Sequence, residues 1–235
     1  MSKTLLVTGA SRGIGLETAT RFAMAEGDVD TVVMFARDSE DFTTAVAELK
    51  KSVPAGTTII ARTVDVGDLE ALKTAAAEVL EEVGQIHLLV NNAGYTNPVP
   101  IQQVDQEDFE RTMRVNLYAP FTLVQSLLNN GNTFDLIVNI ASTAGINGRS
   151  GWLSYSASKA AVINMSQVMR EELAIYGTRG GGLAPGRTAT ALRKVLAPDE
   201  DPSTIMQPQH VAEVIETLSS PMGRFIDSEN IVVRL

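Results

Sequence analysis

Apolar and polar positions alternate along the chain with two different periods. Short runs of β-branched and aliphatic residues are typical of strands buried on both faces of a sheet, and they lie at 4–7, 31–36, 58–64, 86–90 and 134–141. Between the runs, apolar residues recur at the spacing of an amphipathic helix, as they do after the first run at Ile14, Leu16, Ala19, Phe22 and Ala23. Strands that alternate with helices predict an α/β fold with a mainly parallel sheet.

Capping residues mark the ends of several predicted helices. Ser39 and Asp68 are suitable N-caps for helices that run to about residues 51 and 83, and Gly84 closes the second of them. One long helix is predicted over 105–128, and another continues from 154 to about 176.

The last third of the chain carries weaker signals. Residues 179–184 occupy the place of a sixth strand, but the glycines at 180–182 weaken it, because glycine loses the most backbone entropy and has no side chain to pack. The segment 187–207 is polar and punctuated by proline, which predicts a short substrate lid. Pro208 suits the first turn of a helix to about residue 218, and 230–233 makes the last strand.

The first apolar run leads into a glycine-rich turn, Thr8-Gly9-Ala10-Ser11-Arg12-Gly13-Ile14-Gly15. Glycines let the backbone turn sharply and approach a pyrophosphate at the positive N-terminus of the following helix. The spacing Gly-x-x-x-Gly-x-Gly differs from the commoner dinucleotide fingerprint. A glycine-rich loop without a ligand is the alternative. The turn predicts cofactor contacts from Gly9, Ser11, Arg12, Gly13, Ile14 and Gly15.

Tyr155 and Lys159 lie four residues apart, on one face of a predicted helix. A phenol with a reference pKa of about 10 is a poor acid–base group at neutral pH. An ammonium beside it favours the phenolate, so the spacing predicts that Lys159 lowers the pKa of Tyr155. Ser142, thirteen residues before Tyr155, ends the fifth run, where ligands bind in open α/β sheets. A capping or turn role is the alternative for Ser142.

The glycine turn, Ser142 and the Tyr155–Lys159 pair together resemble the short-chain dehydrogenase/reductase family over nearly the whole chain. Asn91-Asn92-Ala93-Gly94 and Pro185-Gly186 are similar to further motifs of that family. The resemblance implies a Rossmann-type, doubly wound, mainly parallel seven-stranded sheet with helices on both faces. It also implies an oxidoreductase that transfers a hydride between a nicotinamide cofactor and a carbonyl or secondary alcohol.

The same resemblance implies the roles of individual residues. Tyr155 is then the general acid/base, Ser142 stabilises charge on the substrate oxygen, Lys159 also holds the ribose hydroxyls, and Asn116 keeps a proton relay in place. The further cofactor-binding residues that it implies are Asp65, Val66, Asn92, Ala93, Gly94, Tyr155, Lys159, Pro185, Gly186, Thr188 and Thr190.

The residue after the second strand bears on the choice of cofactor. An acidic residue near this point holds the ribose 2′-OH of NAD, whereas an arginine suits the 2′-phosphate of NADP. Arg37 follows the second run directly, and Arg12 could converge on the same spot. We therefore predict NADP(H) rather than NAD(H). Asp38 opposes this inference, and a solvated loop charge is the alternative for Arg37.

Composition limits the classes of partner. The formal charge of 19 − 28 = −9, without a basic block, argues against nucleic acid and anionic membrane. The absence of cysteine excludes thiolate chemistry, and the two histidines, His87 and His210, form no metal-ligand pattern. His87 is predicted to be structural. With no apolar run of membrane-spanning length and Thr8-Gly9 too early for a signal peptide, a single cytoplasmic domain over 1–235 is predicted.

Assembly, substrate and activity keep alternatives. The helix at 154–176 is more apolar than one sheet face needs, which predicts a homodimer or homotetramer, with a plain core role as the equal alternative. The substrate is a small molecule that the sequence does not identify. A non-catalytic NADP(H) sensor, a 3-oxoacyl-type reductase and an epimerase or dehydratase of the extended branch are the other activities considered. Residues that could line the substrate pocket are Tyr95, Asn147, Arg149, Trp152 and Leu153.

Overall fold

The computed structural model describes residues 3–25, 27–226 and 230–235. In these ranges seven strands form one sheet in the order β3-β2-β1-β4-β5-β6-β7, and every neighbouring pair is parallel. The strands are β1 (Lys3–Thr8), β2 (Val29–Ala36), β3 (Thr58–Thr63), β4 (Leu88–Asn91), β5 (Leu136–Ile140), β6 (Arg179–Pro185) and β7 (Asn230–Val233). The strand order reverses between β1 and β4, as in the predicted doubly wound sheet.

Helices connect the strands. They are α1 (Gly13–Met24), α2 (Glu40–Ser52), α3 (Leu69–Val83), α4 (Gln106–Met113), α5 (Ala119–Asn129), α6 (Thr143–Ile146), α7 (Leu153–Leu173), α8 (Ala191–Leu196) and α9 (Pro208–Ser219). The predicted N-caps are confirmed, since Ser39 Oγ accepts from Phe42 N at 3.2 Å and Asp68 Oδ1 accepts from Ala71 N at 3.0 Å. Gly84 ends α3 with a φ of 77°, the left-handed backbone that glycine adopts without strain.

Apolar side chains pack in two layers, one on each face of the sheet. Successive residues of a strand point to opposite faces. In β1, Leu5 and Val7 pack with the layer that contains α1, α2 and α9, whereas Leu6 packs with α3 and α5. The burial of both faces explains why the strands are continuous apolar runs, and the predicted α/β class is confirmed.

The long helix predicted over 105–128 is not one regular helix. A π-helical turn at Arg114–Tyr118 joins α4 to α5, and Asn116 lies buried within it. Such turns hold one extra residue per turn and are frequent at functional sites. The predicted extent of the helix is confirmed, since 106–129 is helical throughout. The π turn was not predicted, because the apolar periodicity on both sides of a single wide turn still indicates one helix.

The glycines predicted to weaken β6 do not prevent its pairing. Arg179–Pro185 bonds to β5, and from Gly182 onward it also bonds to β7. Ladder bonds on both edges satisfy the backbone and offset the entropic cost of glycine. A Cβ on Gly182 would lie 3.1 Å from Asn230 Oδ1 and 3.7 Å from Ser166 Cβ on α7. Glycine therefore leaves room for the Asn230 side chain beside this strand.

The segment 187–207 is folded back at the carboxyl end of β6. It contains α8, and a β-bridge pairs Thr188 with Met206. Ile205 and Met206 are buried, so the far end of the segment has apolar anchors that its polar composition does not suggest.

Two smaller sequence predictions can be compared with the structure. The Nδ1 atom of His87 accepts a hydrogen bond from Thr4 N at 3.1 Å, so this histidine joins the loop before β4 to β1 and has the predicted structural role. Across the described ranges, no helix is both long and apolar enough to span a membrane.

Candidate active site

A cleft of about 810 Å³ opens at the carboxyl ends of the strands. Its walls are built from the loops after β1, β2, β3, β4, β5 and β6, around the point where the strand order reverses. Ligands of open α/β sheets bind at this place, and the volume is within the usual range for small-molecule sites.

The glycine turn forms one wall of the cleft and leaves no space for side chains. Gly9 and Gly13 have φ of 67° and 59°, values that other residues adopt only with strain. A Cβ on Gly9 would lie 2.8 Å from Ala93 Cα, and one on Gly15 would lie 2.3 Å from the Gly9 carbonyl oxygen. Glycine at 9 and 15 therefore lets the turn pack against the loop after β4. The backbone of Gly9 and Gly13 borders the cleft at the N-terminus of α1, where a phosphate can approach it.

The Asn91–Gly94 segment fastens this turn to the sheet. Thr8 Oγ1 accepts hydrogen bonds from the backbone nitrogens of Asn92 and Ala93, both at 3.0 Å. The Asn92 side chain donates to Thr8 O at 3.0 Å, and Asn91 Nδ2 donates to Asn139 Oδ1 on β5 at 2.8 Å. These bonds hold β1, β4 and β5 together directly beneath the cleft.

Ser142 and Tyr155 meet at the other end of the cleft. Ser142 follows β5 and caps α6, where its Oγ accepts from Ala144 N at 3.1 Å. The same hydroxyl lies close enough to the Tyr155 phenol, on the wall of the same cleft, to lower its pKa. Capping and contact with Tyr155 are therefore compatible, because a hydroxyl has one donor and two acceptor positions.

The pKa of Tyr155 is raised, because burial of the phenol penalises the phenolate; the hydrogen bond from Ser142 and the positive charge of Arg193 act in the opposite direction. The net direction is the reverse of the predicted one. Lys159 Nζ lies 5.9 Å from the centre of the Tyr155 ring and donates to the Ile140 carbonyl oxygen at 2.7 Å. Burial also lowers the pKa of Lys159 to about 8. The four-residue spacing thus brings Lys159 near the ring without making it the group that lowers the pKa of the phenol.

Asn116 lies behind the cleft and joins its walls. Its Oδ1 accepts from Tyr95 N at 2.7 Å, and its Nδ2 donates to Tyr95 O at 3.0 Å and to Ser158 Oγ at 2.9 Å. Ser158 in turn donates to the Tyr155 carbonyl oxygen at 2.8 Å. Asn116 and Lys159 also border one small internal pocket. The amide therefore fixes the loop after β4 relative to the helix that carries Tyr155.

The structure brings most of the predicted site residues to this one cleft. Gly15 and Asn116 do not border it, since Gly15 lies beneath the turn and Asn116 behind the wall. In the parts of the chain that the structure describes, no group of acidic or histidine side chains could hold a metal ion. The predicted residues that do border the cleft are Gly9, Ser11, Arg12, Gly13, Ile14, Arg37, Asp65, Val66, Asn92, Ala93, Gly94, Ser142, Tyr155, Lys159, Pro185, Gly186, Thr188 and Thr190.

Of the candidate residues for the substrate pocket, Tyr95, Arg149 and Trp152 border the cleft, whereas Asn147 and Leu153 do not. The interactions that Trp152 and Tyr95 make there were not predicted from the sequence. Arg193 on α8 reaches the face of Trp152, 5.6 Å from the ring centre, and forms an ion pair with Glu200. On the opposite wall, Tyr95 donates to Asp108 at 2.6 Å while Arg111 stacks over its ring at 4.3 Å. No motif or periodicity marks these residues, because they meet only through the folding of separate loops.

Comparison with known proteins agrees with this geometry. A model of the family described as short chain dehydrogenase matches residues 3–201. The chain is 31% identical to the 3-oxoacyl-(acyl-carrier-protein) reductase of Thermotoga maritima, over 97% of this chain and 94% of that protein. It is also 31% identical to the 7alpha-hydroxysteroid dehydrogenase of Bacteroides fragilis, over 99% of this chain and 93% of that protein.

A solved structure is similar over nearly the same extent. The short chain dehydrogenase from Burkholderia cenocepacia in complex with NADP superposes with a TM-score of 0.86 at 27% identity, over 98% of this chain and 96% of that chain. The chain therefore belongs to the short chain dehydrogenase family of oxidoreductases.

Replacing Gly145 by alanine tests how α6 positions Ser142. A Cβ on Gly145 would lie 2.5 Å from the carbonyl carbon of Lys159, so alanine must push α6 away from α7. Because Ser142 caps α6, its hydroxyl should move away from Tyr155, and a displacement of about 1 Å can reduce kcat on the order of 10²-fold.

The matched control is Gly148→Ala, three residues further on, where a Cβ has no neighbour within 4 Å. Steady-state kinetics and NADPH titration of both variants are the measurement. We expect Gly145→Ala to lose kcat with NADPH affinity nearly kept and Gly148→Ala to behave like the native protein. Equal kcat in the two variants would contradict the role of α6.

Proposed function

We propose that this protein is an NADP(H)-dependent reductase or dehydrogenase that interconverts small carbonyl compounds and secondary alcohols. The observation that carries the proposal is that one cleft is bordered both by the glycine turn and by Ser142, Tyr155 and Lys159. A dinucleotide fits this cleft because its phosphates can approach the bare backbone of Gly9 and Gly13, which border the cleft at the N-terminus of α1.

Bound nicotinamide supplies the hydride for carbonyl reduction. Tyr155 donates its phenolic proton to the substrate oxygen. Burial raises the pKa of the phenol and so makes it a weaker acid, whereas Ser142 and the charge of Arg193 act in the opposite direction. Ser142, already bonded to Tyr155, donates to the same oxygen and stabilises its developing charge. Lys159 contributes a buried amine beside the phenol and hydrogen bonds to the cofactor ribose. Asn116 holds the wall that carries Tyr155.

The preference for NADP(H) rests on Arg12 and Arg37. Both border the cleft beyond β1 and β2, and both are exposed, as the 2′-phosphate of the adenosine ribose requires. Arg12 lies 3.6 Å from Asp41, an exposed pair that contributes little to stability and can be exchanged for a phosphate. The similar Burkholderia structure contains NADP, which supports the same choice here.

We expect the native protein to favour NADPH over NADH in kcat/KM by about two orders of magnitude, since each hydrogen bond to a charged group contributes about 1.5–3 kcal/mol. Arg37→Ala should narrow this gap, because the planar guanidinium binds a phosphate in a way that no neutral residue reproduces.

Kinetics with both cofactors in native protein, in Arg37→Ala and in the control Arg224→Ala, an arginine outside the cleft, test this preference. Equal efficiency with NADH in the native protein, or an unchanged gap in Arg37→Ala, would assign the arginines to the solvated surface. Asp38, which also borders the cleft, would then be the residue that faces the ribose.

The specific activity is best sought among 3-oxoacyl thioesters and ring ketones, because the relatives named above are a 3-oxoacyl reductase and a hydroxysteroid dehydrogenase. NADPH consumption measured over a broad panel of carbonyl compounds tests the proposed function. If NADPH binds but no compound in the panel consumes it, the non-catalytic NADP(H) sensor replaces the reductase as the better proposal.

Assembly as a homodimer or homotetramer stays a prediction. Val168 on α7 and Phe121 on α5 are 48% and 45% exposed, which is compatible with a partner surface. The substrate lid over 187–207 and a cytoplasmic location likewise stay predictions.

A further inference from the structure

Arg193 is a partly buried cation that the predicted mechanism does not use. It lies on α8, whose N-cap Thr190 accepts from Arg193 N at 3.1 Å. Its guanidinium binds Glu200 in bidentate geometry, with Nε–Oε2 at 2.5 Å and Nη2–Oε1 at 2.8 Å. The two side chains are only 18% and 16% exposed. A bidentate pair of this kind holds the guanidinium in one orientation.

In this orientation Arg193 contacts the catalytic tyrosine indirectly, through the ring of Trp152. The guanidinium lies over the Trp152 ring at 5.6 Å from its centre. Trp152 packs edge-to-face against Tyr155, with 6.4 Å between ring centres and an interplanar angle of 79°. Arg193, Trp152 and Tyr155 all border the cleft. The folded 187–207 segment is thus connected to the phenol through one aromatic ring.

Several charged groups surround Tyr155, and they differ in their distance and orientation. Lys159 approaches from α7 but donates to the Ile140 carbonyl, and Arg149 and Arg111 border the same cleft from the loop before α7 and from α4. Burial raises the pKa of the Tyr155 phenol, and among the neighbouring charges the guanidinium of Arg193 acts against this, in the direction of the phenolate. Glu200 partly neutralises Arg193, and Arg187 donates to the same carboxylate at 3.3 Å.

We propose that Arg193 is a positioning residue of this enzyme: the folded 187–207 segment, fixed by the Arg193–Glu200 ion pair, places its guanidinium over Trp152, the ring that packs against the catalytic tyrosine. The proposal rests on the proposed function for its catalytic meaning. It adds that the acid–base group is complete only when α8 is in place, so that closure of the segment and proton transfer are coupled. The Glu200 carboxylate fixes the position of the Arg193 guanidinium and partly neutralises its positive charge.

The sign of the effect follows from the reaction. Oxidation of an alcohol needs the phenolate as base, so its rate rises with pH through the ionisation of Tyr155. If the charge of Arg193 is removed, this ionisation moves to higher pH, because the phenolate loses a favourable neighbour. At a pH below the inflections of both the native protein and the variant, the variant should oxidise the alcohol about tenfold more slowly for each pH unit by which its inflection is moved.

The test compares native protein with Arg193→Gln, Arg193→Lys and Arg187→Gln. Arg187→Gln is the matched control, since it also removes an arginine from Glu200 but not the one that reaches Trp152. A second neutral variant, Arg193→Met, retains an apolar stem to pack on Trp152 should the glutamine variant fold poorly. We expect the two neutral variants to move the inflection to higher pH. In Arg193→Lys the inflection should return most of the way to its native pH, and in Arg187→Gln it should stay at the native pH.

A readout that is independent of turnover accompanies the kinetics. The chain has four tyrosines, and the absorbance difference between each protein and its Tyr155→Phe counterpart isolates the ionisation of Tyr155. An unchanged titration in the neutral variants, an equal displacement in Arg187→Gln, or a change confined to the KM for NADP(H) would overturn the proposal. If no carbonyl compound is turned over, the proposed function fails, whereas the titration still decides whether Arg193 acts on Tyr155.

Discussion

Tyr155→Phe is expected to reduce turnover by about 10²–10⁴-fold, the usual contribution of a positioned general acid. The change removes only the hydroxyl that we propose as the proton donor to the substrate oxygen. The ring keeps its edge contact with Trp152 and its place in the cleft. NADPH affinity should therefore stay nearly native, and the loss should lie in kcat.

The measurement is NADPH consumption together with NADPH binding by fluorescence. Tyr176→Phe is the matched control. Tyr176 lies just beyond the end of the same helix, is 66% exposed and does not border the cleft. Full activity in Tyr155→Phe would refute the assignment of the proton donor. Loss of both activity and NADPH binding would instead indicate that the substitution disturbs the cleft.

Lys159→Met is expected to be inactive and yet more stable than the native protein. Lys159 is 4% exposed, and burial lowers its pKa from 10.5 to about 8. This difference corresponds to about 3 kcal/mol that opposes folding of the charged form. Methionine fills a similar volume without charge, and the loss of the hydrogen bond from the charged ammonium to Ile140 costs about 1.5–3 kcal/mol. The net gain in the free energy of unfolding is therefore small, about 1 kcal/mol at neutral pH.

The pH dependence of this gain has a defined sign. Below pH 8 lysine is charged in both the folded and unfolded states, and the full penalty is present. Between about 8 and 10.5 the folded state loses its proton first, so the native protein becomes more stable relative to the variant as pH rises. Above 10.5 lysine is neutral in both states and the charge penalty disappears.

Urea denaturation of native protein, Lys159→Met and the exposed-lysine control Lys50→Met, at several pH values, measures this effect. If Lys159→Met is less stable than the native protein at neutral pH, the contacts of the Lys159 ammonium stabilise the folded state by more than the burial of its charge destabilises it. A gain that does not shrink between pH 8 and 10.5 would show that its source is packing and not charge.

Most of the elements and the central site were predictable because their causes are local. Strands buried on both faces must be apolar throughout, which marks β1 to β5, and Ser39 and Asp68 cap the helices that follow them. The glycine turn was readable because a missing side chain is itself the requirement at Gly9 and Gly15. Ser142, Tyr155 and Lys159 were singled out by their spacing, and all three border the same cleft.

The remaining features depend on contacts between segments distant in sequence. The strength of β6 comes from partners on both edges, so its glycines are misleading when read alone. The π turn at Asn116 is recognised only from the backbone, because one extra residue leaves the apolar pattern on either side intact.

The ionisation of Tyr155 was the clearest case of this limit. Four-residue spacing places Lys159 near the ring, but it does not reveal that the ammonium donates to Ile140 or that burial raises the pKa of the phenol. Nor does it reveal that Arg193 lies over the ring of Trp152, which packs edge-to-face against Tyr155. Local patterns determine which residues can do chemistry, whereas desolvation and through-space charge, which set their pKa values, exist only once the chain has folded.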